Sequence, residues 1–167
     1  MKKIIINTFI TFFLCFIAHN VYHIFPNRLT AIFFPVNESI WEHMKMLYTC
    51  ILLGGFINYL IFKTDNNFTS SFITGIFSII FYLVCFLPFN TENKIFIFIL
   101  LFIDIFISEL IRYYIINKKI LIKYNYYFII PIIISYIIFG YLTYKPPINN
   151  LFKDTVKNTY GINTYEI

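Results

Sequence analysis

Residues 95–116 read IFIFILLFIDIFISELIRYYII, twenty-two positions of which only Asp104, Glu109 and Arg112 carry a full charge. A helix needs about 20 apolar residues to cross a hydrocarbon core. The run lacks the polar–apolar alternation of a barrel strand, and backbone groups in lipid must find their partners within the element itself. It therefore reads as a membrane-spanning helix. Four further runs of the same kind surround it, at 4–25, 44–62, 68–89 and 126–144. The expected fold is an all-α integral membrane bundle of about five transmembrane helices. Residues 1–144 would form the transmembrane domain and 145–167 a C-terminal tail.

Composition excludes the alternatives. The 167 residues are 59% hydrophobic and 22% aromatic with only 13% charged, far from the balance of a water-soluble domain. The natural partner is a lipid bilayer. A formal charge of +5, with no basic helix or nucleic-acid motif, gives no reason to expect DNA or RNA binding. Cys15, Cys50 and Cys85 all sit inside apolar runs. Their odd number and the lack of a CxxC pair argue for small buried hydrophobes rather than disulfides or thiolate metal ligands.

Orientation follows from basic residues in the connections. With the N-terminus inside, the cytoplasmic side holds Lys2, Lys3, Lys63, Arg112, Lys118, Lys119 and Lys123, against Arg28, Lys45 and Lys94 in the outer loops. The tail adds Lys145, Lys153 and Lys157 outside and reduces the contrast. An N-in, C-out arrangement puts the 26–43 connection and the tail on the same outer face. The first run is expected to stay as an anchor, since Phe16-Ile17-Ala18 is a poor signal cleavage site.

Packing cues lie within the runs. Ser71, Gly75 and Ser78 form a small-residue stripe suited to close helix contact, and Gly54-Gly55 serves the same end. Pro131 is expected to kink the fifth span. Asp104 is costly in lipid and should face the bundle interior. Its depth allows a pairing with His19, and Ser108 shares its helical face. Glu109 and Arg112 are spaced for a local ion pair.

Polar residues gather in Pro35-Val36-Asn37-Glu38-Ser39-Ile40-Trp41-Glu42-His43-Met44-Lys45. Ser39 and Glu42 have the spacing of a capping box that starts the second helix, with Trp41 at the headgroup level. His19 and His23, four apart, share one side of the first helix near its outer end, and His43 opens the second on the same side. Candidate divalent-metal ligands are His19, Glu42 and His43, with Glu38 nearby. The tail carries Leu151, Phe152, Tyr160 and Ile162, too apolar for disorder, and Gly161 where a turn is expected. It should dock on the outer face and bring Asp154 toward Glu42 and His43.

The Pro35–Lys45 motif, preceded by His19 and Tyr22, resembles an uncharacterised family of small bacterial multi-pass membrane proteins. Pro146-Pro147, Leu151-Phe152-Lys153-Asp154 and Thr159-Tyr160-Gly161-Ile162 are similar to that family's C-terminal end. The resemblance implies a compact bundle in a bacterial plasma membrane and no assigned activity. It does not include His23, and residues past Ile162 extend beyond it.

The expected function is therefore that of a membrane protein with an outward-facing polar site, built by the first loop, helix ends and tail. Its candidate ligand residues are His19, Tyr22, Asn37, Glu38, Glu42, His43, Asp104, Asp154 and Tyr160, with Ser39, Trp41, Pro131 and Gly161 structural. The ligand classes are a small molecule, a lipid headgroup or a divalent metal. Alternatives are a metal-assisted hydrolase or transferase acting on lipid, although no HExxH or GxSxG is present, a proton relay through Asp104 and His19, and an accessory subunit with a protein partner or a second copy.

Overall fold

The computed structural model describes residues 1–86 and 93–162, without the side chain of Lys94. The described chain folds into α1 (Lys2–Ile24), α2 (Arg28–Phe33), α3 (Ile40–Phe62), α4 (Asn67–Phe86), α5 (Lys94–Asn117), a 3-10 segment (Ile122–Phe128) and α6 (Ile129–Tyr144). Among the described residues there is no strand, only an isolated bridge between Lys153 and Tyr160. The expected all-α bundle is what forms. The far end of the 68–89 run lies outside the described residues.

Helices α1, α3, α4 and α5 close a ring, in which α1 and α4 each pack against both α3 and α5. Helix α6 stands outside it, against α2, and sets Phe139 edge-on to Trp41 and Tyr48 of α3. Three of the helices (α1, α3 and α4) and the continuous stretch Ile122–Tyr144 are long and apolar enough to cross a membrane. Helix α5, with 24 residues, is long enough too but carries Asp104, Glu109 and Arg112.

The bundle buries polar side chains beside its apolar core and turns large apolar ones outward. Asn7, Thr8, Thr11, Ser71, Thr74, Ser78, Asp104 and Ser108 are buried, whereas Phe9, Phe13, Ile17, Ile133 and Ile137 are exposed. Such a surface is compatible with lipid contact, because a bilayer solvates apolar side chains and leaves polar ones to pair between helices. The small residues serve that pairing. A Cβ on Gly75 would come within 2.7 Å of the Tyr48 ring, and Gly55 leaves the room that the Arg112 guanidinium fills.

Glu109 and Arg112 do form their local pair, at 3.2 Å, buried between the helices of the ring. Asn7 Nδ2 donates to Glu109 Oε2 (2.5 Å), and Arg112 donates to Ser71 Oγ (2.9 Å) and to the Ile51 carbonyl (2.6 Å). Four helices thus meet on one ion pair. Arg112 and Lys45 are both buried, so neither belongs among the loop charges that set orientation. Dropping them leaves six of the seven basic residues counted on the side of the N-terminus, and two of the three in the loops at the opposite end.

Two local features differ from the sequence reading, α2 and Pro131. The 26–43 connection contains a helix, α2, opened by a capping box in which Asn27 accepts from the Thr30 amide and the Thr30 side chain accepts from the Asn27 amide. Helix α3 begins at Ile40, as the Ser39 cap predicts, four residues ahead of the apolar run at 44–62. Pro131 does not kink a long helix. It lies in the first turn of α6, where a missing N–H costs no helical bond, and the chain before it is 3-10.

Candidate functional site

Ser39 caps α3 by accepting from the Glu42 amide at 3.3 Å. The box closes on one side only, because the Glu42 carboxylate turns into the bundle instead of back to Ser39. There it pairs with Lys45 at 2.5 Å and accepts from the Val36 amide (3.1 Å) and Thr143 Oγ1 (2.9 Å). Lys45 Nζ also donates to the Ala31 carbonyl (2.7 Å) and to Thr143 Oγ1 (2.9 Å). These residues come from α2, the loop, α3 and α6. With the ammonium's three donors engaged, the network is a structural clamp. Glu42 is therefore not grouped with the histidines.

Glu38 takes that place. It precedes the α3 cap, outside the helix, and its Oε2 lies 3.5 Å from Nε2 of both His19 and His43. One ligand atom from each of these three residues lies within 4.8 Å of the others. The imidazole rings are 5.4 Å apart between centroids. His43 Nδ1 is 2.9 Å from the Ser39 carbonyl. A carbonyl only accepts, so Nδ1 carries a proton and Nε2 is the ring nitrogen turned toward Glu38. The hydrogen bond with His19, reinforced by the fields of His43 and His23, holds the Glu38 carboxyl below its usual range against the opposing effect of burial. His23 itself stands outside the trio. All three members are about one quarter to one third exposed.

The docked tail walls this rim. The Phe152 ring stacks on Trp41 at 4.9 Å, and the Trp41 amide donates to the Leu151 carbonyl at 3.0 Å. Asn37 Nδ2 donates to the Gly161 carbonyl (3.1 Å), and Thr155 Oγ1 to the Glu38 carbonyl (3.2 Å). Gly161 has φ +63°, and a Cβ there would meet the Thr143 carbonyl at 2.7 Å. Asp154 does not reach toward Glu42 or His43. Its Oδ1 accepts from the Val156 and Lys157 amides within the tail's own turn, and it borders a crevice of about 10 Å³ with Tyr22, Asn37 and Gly161. Tyr160 is half-buried and bridges Lys153.

Asp104 is separate as well. It lies mid-bundle, with its Oδ1 accepting from Ser108 Oγ at 3.3 Å and Ser78 of α4 beside it, rather than beside His19. The sequence-predicted residues thus divide into a partly exposed rim trio, a buried clamp, a tail crevice and an interior acid. Lys45, Thr143 and Asn7 had been missed as parts of polar networks. For Lys45 the signal was available, since it follows Glu42 at i+3. A groove of about 540 Å³ between α2 and α6, lined by Ile32, Phe33, Ile133 and Tyr136 among others, is mostly apolar.

The chain belongs to DUF6512, a family of unknown function whose model matches residues 1–162. No curated protein and no solved structure matches it.

Proposed function

We propose that this DUF6512 member is a multi-pass protein of a bacterial plasma membrane, N-terminus inside, whose outward rim is a preformed ligand-binding site. The observation that carries the reading is the docking of the tail on the motif loop, through Trp41–Phe152 and Asn37–Gly161. A rim held at both ends costs little ordering when a ligand arrives. Membrane insertion is supported by the lipid-compatible exterior and by an α5 whose Asp104, Glu109 and Arg112 are all buried. The bacterial origin draws on the resemblance of the Pro35–Lys45 motif.

Trp41 is the only tryptophan in the chain, so its fluorescence tests the docking directly. In detergent-solubilised protein its emission should be blue-shifted and shielded from an aqueous quencher. Phe152→Ala should red-shift it and restore quenching while helicity is retained. Equal quenching of wild type and variant would mean that the tail is not docked, and the rim reading would fail.

A further inference from the structure

We propose that His19, Glu38 and His43 form a binding site for a divalent transition metal of the zinc class. This deepens the rim reading by naming its ligand, and rests on the rim being preformed.

The donor set is two imidazole nitrogens and one carboxylate oxygen, which suits zinc and its borderline neighbours, whereas calcium and magnesium require oxygen shells. The geometry is close to what coordination demands. Ligand bonds of about 2.0–2.2 Å in a tetrahedron place donor atoms about 3.3 Å apart. Both His–Glu edges are already 3.5 Å, and the remaining edge is within 4.8 Å. His19 is about one third exposed, so its ring is not locked on every side by packing.

Orientation is built in. The Ser39 carbonyl fixes the His43 tautomer with Nε2 free to ligate, the outer-shell contact that metal-bound histidines usually have. The ligands come from α1, the loop and the start of α3, so their convergence is tertiary and does not arise from one turn of helix. Glu42, the other nearby carboxylate, is consumed by Lys45, and this leaves Glu38 as the acid of the trio. Three protein ligands leave a fourth position for water or another donor.

The test uses the untagged full chain in detergent, stripped with a chelator and titrated with Zn²⁺ by calorimetry and with Co²⁺ by visible absorption. The expected result is one ion per chain, with the intense visible bands of four-coordinate cobalt. His19→Ala, Glu38→Gln and His43→Ala should each weaken Zn²⁺ binding by more than the roughly 10–100-fold typical of losing an outer-shell partner. His23→Ala should leave the spectrum of bound cobalt unchanged. Trp41 emission is recorded on every sample. Absence of stoichiometric binding with a shielded Trp41 would overturn the metal site and leave the rim reading intact. Binding that survives all three ligand variants would overturn it too. An unshielded Trp41 in the wild type would instead sink the rim reading, and the metal inference with it.

Discussion

Glu109 and Arg112 are buried to within about two per cent of complete exclusion, and removing either alone strands the other's charge between four helices. Breaking a buried pair from one side costs about 3–5 kcal/mol, so Glu109→Leu and Arg112→Leu should each destabilise by that amount. Simple addition would give about 6–10 kcal/mol for the double variant. The structure argues otherwise. With both charges gone, what remains is the loss of two Arg112 hydrogen bonds, to Ser71 and Ile51, and of the Asn7 contact. At about 1 kcal/mol each, the double variant should lose only about 3 kcal/mol, a coupling of about 3–7 kcal/mol. Reversible unfolding in mixed micelles with increasing SDS, followed by helicity, measures the whole cycle. Additive single variants, or singles that each lose less than about 1 kcal/mol, would refute the claim that this pair is a desolvated structural centre.

Other substitutions probe other joints. Gly55→Ala puts a methyl group where the Arg112 guanidinium lies and should cost about 1–3 kcal/mol by overpacking, read in the same unfolding assay. Gly161→Ala forces a side chain into a left-handed turn against the Thr143 carbonyl. At about 1–2 kcal/mol of strain it should loosen the tail, seen as faster tryptic cleavage at Lys157. Ser39→Ala removes the α3 cap and should lower stability by about 0.5–2 kcal/mol; an unchanged unfolding midpoint would count against that cap. Lys45→Met leaves Glu42 without its cation inside the clamp and should cost about 3–5 kcal/mol, relieved in part by adding Glu42→Gln.

The long helices were legible because apolar run length is a direct physical requirement of a bilayer, and residues 4–25 and 44–62 differ from α1 and α3 mainly at their ends. Their arrangement was not legible, since nothing in a run of Ile and Phe says which neighbour it will face. Helix α2 was hidden between Pro26 and Pro35, although Asn27 and Thr30 carried its capping signal. At the rim, the motif announced a site but not which acid belongs to it. Glu42 and Glu38 flank the same cap, and only the turn of α3 decides that Glu42 points inward with Lys45 while Glu38 stays with the histidines. Asp104 was rightly placed inside by cost alone. Ser108, four residues on, was legible as its neighbour, but Ser78 was not, because that contact depends on how α4 lies against α5.

The account depends on the motif loop and tail sharing the side of the membrane opposite the 3-10 connection. Single cysteines at Val156 in the tail and at Lys118 after α5, both exposed, can be challenged in intact bacterial cells with a membrane-impermeant maleimide. Val156→Cys should label at once and Lys118→Cys only after permeabilisation. Labelling of both positions from the same side would contradict the bundle's passage through the bilayer and the outward rim with it.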